Sequence, residues 1–192
     1  FSPYCWRSRL ALLHKGLDFD TVPWRYADKD AIAFSGQGLV PVLVDGETAV
    51  SDSWAIAEYL EEHYPERPSL FGGEAGRHLT RFVQSWVGAV VQLPVLRMLV
   101  TDIHDHLHAK DKAYFRQTRE QRLGASLEAV AADREQRLPA FRDSLTPLRL
   151  TLKSQPFLGG RRPLYADYIV FSTFQWARSI SPFQLLAEDD ER

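Results

Sequence analysis

Cysteine occurs once in this 192-residue chain, at Cys5, which excludes an internal disulfide and fits a reducing, cytoplasmic setting. Long apolar runs are scarce as well. None approaches the roughly 18 residues that a membrane-spanning helix needs, so no membrane partner is expected. A basic excess is missing: 23 Lys and Arg stand against 25 Asp and Glu, for a formal net charge of -2. Nucleic-acid backbones are bound by clustered cations, so nucleic acid is not expected as a partner. Repeats and low-complexity tracts are absent. The chain also starts without Met, inside a motif, and stops at an acidic run, so further sequence is expected at both ends. What is present is a globular composition, 45% hydrophobic and 25% charged, enough for one ordinary domain or two small ones.

The most informative stretch begins at Val40-Pro41. A short apolar run, Val42-Leu43-Val44, meets a turn signal at Asp45-Gly46 and a second run at Thr48-Ala49-Val50, which predicts a hairpin. After Asp52-Ser53, apolar residues at Ile56, Tyr59 and Leu60 keep helical spacing, so a helix opens there. Upstream, Trp6, Leu10 and Leu13 share one helical face, and Lys15-Gly16 supplies a basic last turn and a terminating glycine. Phe19 to Trp24 alternates as a strand would, and Ala27 to Ala33 is weakly helical.

Pro65, Pro68, Gly72 and Gly73 make a breaker-rich stretch, and the domain boundary is placed there: residues 1–66 on one side, 74–192 on the other. Beyond it the pattern is helical only. Leu79, Phe82, Val83, Trp86 and Val90 form an apolar stripe that Pro94 kinks or ends. A charged segment from Lys112 to Arg137 carries Leu123, Leu127 and Val130 on one face. Leu145, Leu148 and Leu152 mark another helix. Tyr168 to Ala177 is apolar almost all round, as a central buried helix is.

Val40-Pro41, the hairpin and the Asp52-Ser53 helix start together resemble the glutathione-binding half of a glutathione transferase. The order helix, strand, helix, hairpin, helix, then helices only, extends the resemblance over nearly the whole chain. It implies an α/β, thioredoxin-like first domain lacking its first strand, followed by an all-α bundle. The segments Asp52 to Leu60, Phe157 to Gly160 and Ala166 to Tyr168 resemble most the branch containing bacterial β-aryl-etherases and fungal transferases that bind wood phenolics. The implied activity is attack by the glutathione thiolate on an aromatic or β-aryl-ether electrophile, with glutathione as co-substrate, no metal, and a homodimer. A non-catalytic binder of phenolic or other hydrophobic ligands on the same fold is the competing reading.

By that resemblance Ser2 donates to the sulfur of glutathione; its plain reading is a helix N-cap followed by Pro3 at the first helical position. Ser2-Pro3-Tyr4-Cys5 also resembles the Cys-Pro-Tyr-Cys loop of glutaredoxins with serine in place of the nucleophilic cysteine, which leaves Cys5 a structural thiol. The resemblance assigns Val40 and a cis Pro41 to the cysteinyl part of glutathione. Asp52 and Ser53 suit its γ-glutamyl end, because a helix N-terminus with a serine hydroxyl receives a carboxylate and an aspartate receives an ammonium.

Leu39 stands where the family often has a basic residue for the glycyl carboxylate, leaving Arg7, Arg9 and Arg25 as candidates. Leu164 stands at an N-cap that usually holds Ser, Thr or Asn, so only the Asp167 half of a capping box remains. Tyr4, Arg97, Tyr114 and Trp176 are the candidates for the electrophile side, with Trp176 also suited to plain core. Asp102, His104, His106 and His108 alternate, a spacing that aligns ligands only on a strand. A solvated turn is therefore expected there rather than a metal centre.

Overall fold

The computed structural model describes residues 2–190, so the outer domain limits at 1 and 192 and the last two residues of the acidic run lie outside it. Helix α1 (Pro3–Lys15) is capped by Ser2 and stopped by Gly16, whose φ of 64° gives the left-handed turn a terminating glycine supplies. Its buried face differs from the expected one. Arg7, Ser8, Ala11, Leu12 and Lys15 are buried, whereas Leu13 is 61% exposed. The reason is that two of those buried residues are cations with partners: Arg7 Nη2 donates to Gln92 Oε1 at 2.7 Å, and Lys15 Nζ lies 2.7 Å from Glu61. Hydrophobic spacing does not register such a face.

Residues 19–24 form no strand, in contrast to the expectation. A strand exists by pairing, and the only sheet among the described residues is the hairpin β1 (Val42–Asp45) with β2 (Thr48–Ser51). Its antiparallel register runs from Val42 opposite Ser51 to Asp45 opposite Thr48. Asp45 is therefore the last strand residue and the loop is Gly46-Glu47, one position later than the turn signal suggested. The weakly helical stretch is a 3-10 helix, Lys29–Ser35. Helix α2 (Ser53–His63) follows the hairpin directly.

Across the breaker-rich linker the chain forms α3 (Glu74–Trp86), a π-helical turn (Val87–Gln92) and α4 (Leu93–His106). The wide turn accommodates Pro94, which has no N–H to donate to the preceding turn. Within Glu74–His106 an 18-residue window has a mean hydropathy of 1.4. By length and composition alone this helix is long and apolar enough to cross a membrane, a property that core helices of globular proteins share. Val87, Val91, Val95, Met98 and Leu99 on it are buried in the core. The apolar stripe on α3 behaves differently: Leu79 and Phe82 are 68% and 70% exposed.

The charged segment is divided rather than continuous. Gly124, in left-handed conformation, ends α5 (Ala109–Leu123), and α6 (Leu127–Ala131) and α7 (Arg134–Ser144) follow. Helix α8 (Thr146–Ser154) is only partly buried, and α9 (Tyr165–Ile180) runs through the centre with Ile169, Ser172, Thr173 and Trp176 buried. Leucine has no acceptor for a cap, so Asp167 alone works at the start of α9, taking the N–H groups of Leu158, Gly159 and Leu164. Trp54, Phe71 and Tyr165 interlock with ring centroids 5.3–5.9 Å apart, which joins α2, the linker and α9 into one core.

Candidate functional site

The start of α1, the Val40-Pro41 bend and the neighbouring helices of the second half enclose a cavity of about 890 Å³. Ser2 lies on its wall and caps α1, its Oγ accepting from the Cys5 N–H at 3.4 Å. A serine hydroxyl holds one donor and two acceptor positions, so this cap leaves the O–H proton available. The two readings of Ser2 therefore do not compete for the same part of the group. Burial raises the Cys5 pKa, with the Ser2 hydroxyl only partly opposing, and a thiol held protonated is a poor nucleophile.

Val40 is half-buried on the same wall, and the Val40-Pro41 peptide is cis. The Pro41 carbonyl accepts from the Asp52 N–H at 3.3 Å, tying the bend to the start of α2. Asp52 has a φ of 79°, the one non-glycine residue with positive φ among those described. That conformation turns its Oδ1 onto the N–H groups of Trp54 and Ala55, at 2.8 and 3.2 Å. Ser53 is 2% exposed, and its carbonyl accepts from the Tyr165 hydroxyl at 2.6 Å.

Among the described residues, the Ser53 N–H, the Ser53 hydroxyl and the Asp52 Oδ2 take part in no other hydrogen bond. Two donors beside one carboxylate oxygen at a helix N-terminus match an α-amino acid end, which presents a carboxylate and an ammonium. The donor set thus fits the γ-glutamyl end of glutathione.

The three arginines left open by the sequence separate in space. Arg7 is 1% exposed and points to Gln92, with its Nε unpartnered in the interior, and burial lowers its pKa. Arg9 and Arg25 line the cavity, as does Leu39.

Of the electrophile candidates, Tyr4 and Trp176 are on the wall. Trp176 is also 4% exposed and part of the core, so it serves both. Arg97 is exposed and off the cavity. Tyr114 accepts from Lys29 Nζ at 3.2 Å outside the lining, and its neighbour Phe115 takes the place on the wall.

The alternating Asp and His residues do not form the expected turn. Asp102, His104 and His106 lie in the last turns of α4, and His108 caps α5. Asp102 accepts from Arg134 at 3.0 Å and also from the Ser181 hydroxyl. His106 and His108 reach the cavity, and no group of three or more such residues is set to hold a metal among the described residues. Arg119 and Arg122 on α5 also line it. They went unread because arginines on a charged helix look like a solvated face; their spacing of three, on one side of the helix, was the available signal.

Profiles described as the N-terminal and C-terminal domains of glutathione S-transferases match residues 1–63 and 78–186. Glutathione S-transferase Z2 of Arabidopsis thaliana is 33% identical over 111 residues, covering 55% of this chain and 50% of its own length. The zeta class glutathione S-transferase of Euphorbia esula is 46% identical over 69 residues, covering 33% of this chain and 31% of its own length. The chain thus spans half or less of the curated relatives it matches first. Glutathione transferase GSTFuA3 of Phanerochaete chrysosporium superposes with a TM-score of 0.83 at 30% identity, over 92% of this chain and 78% of that one.

Proposed function

Because the chain belongs to the glutathione S-transferase family, we propose that it binds glutathione beside Ser2, Val40, Pro41, Asp52 and Ser53 and delivers the thiolate to an aromatic electrophile in the adjoining cavity. The observation that carries this is the unengaged Ser53 N–H and hydroxyl and Asp52 Oδ2 at the start of α2, tied through Pro41 to the bend where Val40 meets the cavity. The Ser2 hydroxyl stands on the same wall and keeps its proton for a sulfur.

The thiolate attacks an electron-poor carbon, a C–S bond forms, and the bond to the leaving group breaks with its electron pair. With a β-aryl ether the products are a glutathione thioether and a phenolate, so atoms and charge balance without an oxidant or reductant. Tyr4, Trp24, Tyr26, Phe115 and Trp176 on the wall suit an aromatic electrophile. A homodimer belongs to the same proposal, and the exposed Leu79 and Phe82 of α3 supply an apolar contact for a second copy.

Calorimetric titration with glutathione tests the site, since occupancy at cellular millimolar levels needs a sub-millimolar Kd. Binding in that range followed by phenol release from β-aryl ethers supports the proposal. Absence of binding overturns it, and binding without turnover of any aromatic electrophile leaves the non-catalytic ligand binder.

A further inference from the structure

Four arginines line the cavity, Arg9, Arg25, Arg119 and Arg122, against one carboxylate, Asp111. Asp111 is 3% exposed and already accepts from the Ala27 N–H at 2.8 Å. None of the four arginines is in an ion pair among the described residues. On other helix faces Arg116 pairs with Glu120 and Glu128, Arg134 with Asp102, Arg137 with Asp133 and Arg149 with Asp190, while Arg142 donates to the carbonyls of residues 184–186 and Arg81 lies over the Trp54 ring. Four arginines without a carboxylate partner and one carboxylate that is already engaged thus face the cavity that the proposed function uses. Like charges facing a partly enclosed cavity repel unless an anion joins them, and such a cavity concentrates anions.

Glutathione accounts for part of this charge. Its γ-glutamyl carboxylate is served by the start of α2, and Arg9 and Arg25, on the Ser2 side of the linker, are available to its glycyl carboxylate. Arg119 and Arg122 remain, on α5 across the cavity. The Arg119 guanidinium lies 4.8 Å from the Phe115 ring centre and 5.6 Å from that of Tyr26. A fork of N–H donors above an aromatic floor is complementary to an aryl group bearing a carboxylate.

Resting on the glutathione reading above, we infer that the electrophile carries a carboxylate, which Arg119 and Arg122 hold while its aromatic part lies against the half-buried Trp24 and Tyr26 on the cavity wall. These two residues set specificity. They bind the charged end of the substrate and take no part in bond making.

The test uses 4-chloro-3-nitrobenzoate and its neutral amide, 4-chloro-3-nitrobenzamide. In both, the thiolate adds at the chlorine-bearing carbon and chloride leaves with its electron pair. Binding of each is measured calorimetrically with S-methylglutathione, which lacks the reactive thiol, saturating the glutathione site. The benzoate is expected to bind about tenfold tighter than the amide, a difference that 0.5 M NaCl largely removes. Arg119→Gln with Arg122→Gln should abolish the preference while leaving amide binding within about twofold. Equal affinities, or a preference that survives the double substitution in a folded variant, overturn the inference. If the substituted protein does not fold, the salt dependence of the native chain decides by itself. Failure of S-methylglutathione and glutathione to bind at all sinks the earlier reading; binding of both without a benzoate preference sinks only this one.

Discussion

The Tyr165 hydroxyl donates to the Ser53 carbonyl at 2.6 Å in the buried centre of the molecule. Ser53 opens α2 and Tyr165 opens α9, so one hydrogen bond joins the starts of two helices, one of which carries the candidate glutathione site. Burial raises the Tyr165 pKa far above the ordinary phenol value, which keeps it a donor across the working pH range. Tyr165→Phe removes the bond and retains the ring that packs on Trp54 and Phe71. The expected loss is about 1 kcal/mol. For a protein of this size that lowers Tm by about 2–4 °C. Thermal unfolding reads the shift, and an unchanged Tm would show that the bond does not stabilise the fold.

Lys15 and Glu61 give a larger effect. Lys15 is 1% exposed, lies 2.7 Å from Glu61 and donates to the Tyr64 carbonyl at 3.1 Å. Glu61 also accepts from the Leu70 N–H at 2.9 Å and from Ser69. Burial alone would raise the Glu61 pKa, but the bonds from Lys15, Ser69 and Leu70 together lower it. Glu61→Gln leaves a buried ammonium without its counter-charge, which costs about 3 kcal/mol. Because the folded-state pKa is depressed, this contribution is complete above the ordinary carboxylate value. It is lost as pH falls through the lowered one. Chemical denaturation at neutral pH should show the deficit, and the gap between the native and substituted proteins should narrow as pH is lowered below the ordinary carboxylate value.

These pairs also explain which parts of the fold were legible in the sequence. The hairpin and α2 were readable because a turn signal, a β pattern and a helix start agree over a dozen residues. The buried face of α1 was not, because Arg7 and Lys15 are buried by their partners and count as polar in any periodicity. Residues 19–24 alternate like a strand, yet alternation does not provide a neighbour to pair with. The stripe at Leu79 and Phe82 was legible as an apolar face but its exposure was not, since periodicity reports that one face is apolar and not what covers it. Motif resemblance named residues at the Ser2 and α2 end of the site. Arg119 and Arg122 come from α5, remote in sequence, and only the fold places them on the same cavity.

His14 makes stability sensitive to mild acid. Its Nε2 lies 3.0 Å from the Ser69 carbonyl, which can only accept, so Nε2 carries the proton in the neutral ring. Nδ1 then accepts from the Tyr168 hydroxyl at 2.7 Å. Burial lowers the His14 pKa, with the Ser69 carbonyl partly opposing. A depressed histidine favours folding while neutral, and that contribution declines as pH falls below the unfolded value of about 6.5. The Tm of the native protein should therefore fall more between pH 7.5 and pH 5.5 than that of His14→Gln. Parallel slopes for the two proteins would count against this assignment.

Ser2 allows its two roles to be separated by two substitutions. As the cap of α1, Ser2→Ala removes the acceptor for Cys5 and costs about 1 kcal/mol, whereas glycine at an N-cap costs only a few tenths. As a donor to sulfur, the hydroxyl is lost equally in both. A free thiol with a pKa of about 8.5 is roughly 3% thiolate at neutral pH. A hydrogen bond to the thiolate contributes about 1.5–3 kcal/mol, or one to two pKa units. The more stable thiolate is also less nucleophilic, with a Brønsted slope of about 0.4–0.5, so the net gain in rate is several-fold. Ser2→Gly should therefore retain near-native stability and a glutathione Kd within about twofold, while turnover falls several-fold. Ser2→Ala should show the same turnover defect together with a lower Tm. Native turnover in Ser2→Gly would reduce Ser2 to a helix cap and leave placement of the thiolate, which by itself contributes up to about 7–11 kcal/mol in ideal geometry, as the source of rate.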